Sequence, residues 1–159
     1  MTSLSHLLAI IDRAYDRASW HGTNLRGSVR RMTAPEAAWR PAPGRHNAWE
    51  IVVHAAYWKY VVRRRLTGEP RGSFPLKGSD WFVRPAPASS SEVDWAADLA
   101  LLDEMHAALR RAAGQLRVRD LPARAGGSSV TTFDLVAGIA AHDLYHAGQI
   151  QLLKRLHRR

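Results

Sequence analysis

The 159-residue chain has no cysteine. That absence excludes disulfides, thiolate metal ligands and a protein-borne thiol nucleophile together. Any metal site must therefore be built from nitrogen and oxygen donors. The chain also lacks an apolar run of the roughly 20 residues needed to cross a bilayer. Its first residues, from Met1 to His6, lack the basic start of a signal peptide, and Asp12 and Arg13 interrupt the apolar stretch that follows. A cytoplasmic location is the expectation, with no membrane partner. No internal repeat and no strand-like alternation stand out. The length and a hydrophobic content of 46% fit a single helical domain spanning 1–159 with a core of ordinary size.

Acidic residues are scarce, with 14 Asp and Glu against 23 Lys and Arg and a net charge of +9. The basic groups include Arg30-Arg31, Arg63-Arg64-Arg65, Arg110-Arg111 and the tail from Lys154. This balance raises nucleic acid as a partner. Most of these groups, however, fall near predicted helix ends, where cations complement the helix dipole. A solvated basic surface is the favoured reading.

What the chain does have is helical periodicity. A first helix begins near Ser3, with Leu4, Leu7, Leu8, Ile11, Tyr15 and Ala18 in phase. Leu25, Val29 and Met32 suggest a further helical stretch. The segment from Thr33 to Gly44 holds three prolines and reads as a connection with room for one turn of helix at Ala34–Trp39. Asn47 with Glu50 three residues on reads as a capping box that opens helix two. That helix carries two apolar stripes, Trp49-Val52-Val53-Ala56-Tyr60 and Ile51-His54-Ala55-Trp58-Val62, the pattern of a buried helix. Gly68 to Ser90 is a long Pro/Gly/Ser-rich loop that contains Trp81 and Phe82, and loops of that length are often functional. Ser91 with Asp94 opens helix three, whose stripe is Trp95, Leu99, Leu102, His106, Leu109, Ala113, Leu116. Thr131 with Asp134 opens helix four. The expected architecture is all-α, a four-helix bundle with long connecting loops.

Helix four carries the most informative feature. Its stripe runs Leu135, Ile139, His142, His146, Gln149, Leu153, Leu156. Residues four apart share a helix face, so the imidazoles of His142 and His146 can reach one ion. A helix that needed only a core would place Leu there, because buried imidazoles cost desolvation unless each finds a partner. His54 points inward from helix two by the same phase argument. A three-histidine set can hold zinc, nickel, iron or manganese and keep coordination positions open. The other reading of the three is a hydrogen-bonded group of core histidines. His142-Asp143-Leu144-Tyr145-His146 also resembles the zincin pattern H-E-x-x-H. Asp143 is one methylene too short for the glutamate's role, and a peptidase is not favoured.

The runs from His142 to Ile150 and from Trp49 to Trp58, with Trp20-His21-Gly22, Trp39 to Gly44 and Arg65 to Gly68, resemble the DinB/YfiT-like superfamily. This is the damage-inducible helical-bundle family, unrelated to the translesion polymerase of the same name. The resemblance implies a divalent metal ion held by one histidine of helix two and an H-x-x-x-H pair of helix four, which map to His54, His142 and His146. It also implies homodimers. Characterised relatives include bacillithiol S-transferases and mycothiol-dependent maleylpyruvate isomerase, so a small-molecule thiol and an electrophile are the expected substrates. A non-catalytic stress-response protein that binds metal, a ligand or nucleic acid is the alternative.

Around the three histidines, His21, Trp58, His106 and Gln149 are candidates for a substrate pocket. Glu50, four residues before His54, is a candidate to orient that imidazole. His6, His46 and His157 read as exposed. The three ligands should approach within about 4 Å of one another, as metal–nitrogen bonds of about 2.0–2.1 Å require. Metal binding should weaken below the reference histidine pKa of about 6.5, since imidazoles must be neutral to coordinate.

Overall fold

Each long helix starts where the sequence supplies a side-chain cap. The computed structural model describes residues 2–126 and 128–158. It contains helices α1 (Ser3–Tyr15), α2 (Leu25–Ser28), α3 (Ala34–Ala38), α4 (Ala48–Thr67), α5 (Glu92–Gly114) and α6 (Thr132–His157). The Thr2 hydroxyl caps α1, Asn47 Oδ1 accepts from Glu50 N at 2.8 Å, and Ser91 Oγ accepts from Asp94 N at 3.4 Å. Thr131 and Asp134 close a full capping box on α6, with each side chain accepting from the other's backbone N–H. The expected box at Asn47 is only half formed. The Glu50 carboxylate turns away from the cap to Arg40 and His46. Among the described residues the architecture is all-helical, with a lone bridge between Arg124 and Thr131 in place of any strand.

Two expectations near the N-terminus shorten. α1 ends at Tyr15, and Ala18 lies exposed beyond it. The second stretch makes one turn of helix that ends with Val29 as its C-cap, and Arg31 beyond it sits in the left-handed region at φ 59.

The four long helices interlock. α4 lies along α5 and against α6, while α1 packs on both α6 and α5; α2 crosses α6 and α3 covers α4. α4 is buried nearly all round, as its double stripe requires, and Trp49, Val52 and Val53 are fully enclosed. Indole N–H groups tie the layers where rings meet polar backbone or carboxylate. Trp49 Nε1 donates to Asp98 Oδ2 at 2.6 Å and Trp95 Nε1 to the Met32 carbonyl at 2.9 Å. On α6 the stripe from Leu135 to His146 faces inward, but Leu156 is exposed, while Lys154 and His157 of the same turn meet the Ser28 carbonyl and the Trp39 ring. A second buried stripe, Val136, Ala140, Asp143, Ala147 and Ile150, runs beside it. Asp143 lies in that stripe and pairs with Lys59 of α4 inside the core.

Candidate metal centre

α4 delivers His54 and α6 delivers His142 and His146 to one point. A nitrogen of each ring lies within 4.8 Å of the others. His142 Nε2 is 3.2 Å from His54 Nε2 and 3.1 Å from His146 Nε2. Two nitrogens bound to one ion at about 2.0–2.1 Å, at angles of roughly 90–110°, sit about 2.8–3.4 Å apart. Both distances fall inside that range.

The outward ring nitrogens fix the tautomers. His54 Nδ1 donates to the Asp80 carbonyl at 2.9 Å, and His146 Nδ1 donates to Gln149 Oε1 at 2.7 Å. Gln149 is oriented in turn, since its amide nitrogen donates to the Tyr145 hydroxyl at 3.1 Å. With protons on those Nδ1 atoms, the Nε2 atoms of His54 and His146 present lone pairs to the centre. A single N–H on His142 Nε2 cannot pair fully with both. His142 Nδ1 is itself buried without a partner. A cation answers this arrangement better than protons do, because burial opposes protonation of all three rings. Desolvation pushes His54 down, His142 to about 3 and His146 to about 4, with repulsion among the rings adding to the effect on the last two. The donor set therefore fits a divalent ion held by His54, His142 and His146.

Asp80, rather than Glu50, orients His54. It adopts the left-handed region at φ 63, which Asp tolerates better than most residues. From there its carbonyl reaches His54, and its carboxylate accepts from Trp58 Nε1 at 2.8 Å and lies 3.3 Å from His54 Nδ1. Trp58 thus borders the site, its ring centroid 6.3 Å from that of His54 and 6.4 Å from that of His142. Glu50 acts one step further out. It accepts from Arg40 and contacts His46 Nδ1 at 3.0 Å, which holds the His46 ring in place. Arg40 and His46 keep the Glu50 carboxyl below its usual range despite burial, which by itself acts upward.

His46 and Trp81 are the contributions that sequence reasoning missed. Trp81 lies flat between His46 and His54, with centroid separations of 3.5 and 3.9 Å and interplanar angles of 7° and 10°. The long loop thus lays an indole over the His54 face and shields it from water. A tryptophan in a Pro/Gly-rich loop was the available signal. Nothing in the spacing of His46 pointed to the stack.

Two of the pocket candidates lie elsewhere. His21 is exposed in the α1–α2 connection. His106 is buried, yet it stacks on Tyr15 at 3.6 Å and takes no part in the three-histidine group. Burial, with Lys59 and Arg110 nearby, pushes His106 down to about 3. Because the unfolded chain takes up a proton at about pH 6.5 and the folded chain does not, this residue's stabilising share is complete above that pH. It is lost as pH falls from about 6.5 towards 3, at up to about 1.4 kcal/mol per unit. His106→Phe keeps a ring against Tyr15 and removes the titration. The pH dependence of its urea midpoint should be shallower than wild type over that window. An unchanged slope would mean that His106 is free to protonate in place.

Beside the three histidines runs a groove of about 580 Å³ whose lining includes His46, Trp81, His146 and Gln149 together with Ile51, Leu152 and Leu153. The Asp143 carboxylate does not approach it, since it points to Lys59 on the opposite flank of α6. This removes the zincin-like role.

Helices that converge three neutral imidazoles on one point, where their Nε2 atoms can offer lone pairs, define a class: an all-helical protein with a His₃ site able to hold a metal ion. The chain belongs to the DinB superfamily, whose family profile matches residues 17–150. No curated protein and no solved structure gives a match.

Proposed function

We propose that this four-helix-bundle protein is a divalent-metal-dependent S-transferase that joins a low-molecular-weight thiol to an apolar electrophile. A divalent ion held by His54, His142 and His146 would supply Lewis acidity that favours the thiolate form of a substrate thiol. What carries the reading is the pairing of a His₃ donor set with an adjoining apolar groove in a chain that has no sulfur nucleophile of its own. The sulfur must then come from a substrate.

The residues divide the work by position. Asp80 and Gln149 hold His54 and His146 in the tautomer that leaves Nε2 free. Trp81 and Trp58 cover the rings and limit water. Ile51, Leu152 and Leu153 offer the groove wall to the electrophile's apolar part, and Tyr145 and Gln149 present polar groups at its edge. In the transfer an S–C bond forms, the bond from carbon to its leaving group breaks, and the thiol proton passes to solvent. No oxidant or reductant is needed.

Mixing the protein with zinc, nickel, manganese or ferrous ion, a thiol and a generic electrophile should give turnover that a chelator abolishes. His146→Ala should remove it, with helical content by circular dichroism nearly unchanged. Absence of turnover across bacillithiol, mycothiol, glutathione and coenzyme A would overturn the enzyme in favour of a non-catalytic metal binder.

A further inference from the structure

The loop that crosses from α4 to the metal centre also borders a second, open pocket, of about 530 Å³, against the C-terminal half of α4. That volume lies within the range of small-molecule sites, roughly 300–1,000 Å³. Four cations line it, Arg64 and Arg65 from the helix and Arg71 and Lys77 from the loop, and no carboxylate does. Among the described residues none of the four forms an ion pair. The nearby acids are already committed, Glu69 to Arg63 at 2.7 Å and Asp80 to Trp58 and His54.

Runs of arginine on a helix usually form a solvated face. Here, however, Arg64 Nε is buried without any hydrogen-bond partner, although Arg64 Nη1 reaches the Glu69 carbonyl at 3.3 Å. A buried guanidinium donor left unmatched costs more than one that meets an anion. Four like charges around one cavity also repel until a counter-charge arrives. Between the cations stand the rings of Tyr57, Trp58 and Phe74, with Tyr57 and Phe74 edge to face at 5.3 Å. Guanidinium groups and aromatic faces together suit a ligand with both charge and a flat ring.

We propose that this cavity binds a small organic polyanion with a planar ring, its phosphate or carboxylate groups held by Arg64, Arg65, Arg71 and Lys77 and its ring set against Tyr57, Trp58 and Phe74. None of the three histidines lines the cavity, and Trp58 is the residue shared with the metal centre, so the inference does not depend on a bound metal. A concave pocket of about 530 Å³ suits a small ligand better than nucleic acid, which reads extended basic faces.

Isothermal titration of the full chain, stripped of metal and then freed of chelator, tests it using ADP and phthalate as the two anion types and adenosine as the uncharged ring. At least one anion should bind with a micromolar Kd that weakens with salt, and the responsive anion identifies phosphate or carboxylate as the preferred group. Adenosine should bind at least about tenfold more weakly. Arg64→Gln and the exposed Lys77→Gln should each weaken the anion by about tenfold or more, while His146→Ala should leave it unchanged. The second variant guards against a folding defect in the first. The proposal is overturned if both anions fail at millimolar concentration, if adenosine matches them, or if both variants bind like wild type. Loss on His146→Ala would do the same, as would binding of a single-stranded oligonucleotide where both small anions fail.

Discussion

Asp143→Ala should lower the stability of the protein by about 3–5 kcal/mol, the usual cost of removing one partner from a buried ion pair. Lys59 and Asp143 are 0% and 1% exposed and bind each other between α4 and α6. Burial pushes the Lys59 ammonium down and the Asp143 carboxyl up, and the attraction between them opposes both shifts. Without the carboxylate, the Lys59 ammonium keeps, among the described residues, the face of the Tyr15 ring, 4.8 Å from its centroid. A cation–π contact of about 2 kcal/mol cannot replace a buried counter-ion. For a chain of this size the loss corresponds to a fall of about 6–20 °C in the thermal midpoint, measured by circular dichroism. The double variant Lys59→Met/Asp143→Leu should recover most of it, because Asp143 Oδ1 has no partner and the pair is incompletely satisfied even in the wild type. A single variant that melts with the wild type would show that the two charges are not mutually dependent.

The same pair marks where sequence reading stopped. Three helix starts were legible because Asn47, Ser91 and Thr131 advertise caps in the chain itself. Inward phase was legible for His54, His142 and His146 because i, i+4 spacing is local. The partners of those histidines were not. Asp80 lies 26 residues from His54 and reaches it through a loop whose left-handed turn no periodicity encodes. Glu50 sat at the right spacing to serve His54, yet Arg40 and His46 offered it stronger, charge-assisted contacts. His106 shared the phase of a core stripe, but its helix faces Tyr15 at that level rather than the His₃ centre. Lys59 was hidden because a lysine in an apolar helix reads as a solvent-facing residue until its partner, 84 positions on, is placed beside it.

Saturating a chelator-stripped sample with zinc, nickel or manganese should raise its thermal midpoint by about 5–11 °C. An ion that binds the folded chain alone stabilises it by about 2.7 kcal/mol at 100-fold its Kd, and each kcal/mol moves the midpoint by about 2–4 °C at this size. The structure changes the pH at which this gain should fade. An exposed site would lose metal below about pH 6.5, where free imidazoles take up protons. In the folded chain His142 and His146 stay neutral until about pH 3 and 4, so protons should compete with metal only near those values. Two effects of opposite reach follow. The stripped protein should lose stability as pH falls through the interval from about 6.5 to 4, because the unfolded chain binds protons that the folded one refuses. The increment from metal should meanwhile persist at pH 5. His142→Ala should remove most of that increment while the helices still form, since the substituted ring is half-buried and carries no packing role comparable to Leu102 or Ile150. A midpoint unmoved by all three ions at pH 7 would make the histidine cluster a structural one. A shift present at pH 7 but gone by pH 6 would instead mean that the three rings are more hydrated in solution than their burial between α4, α6 and Trp81 implies.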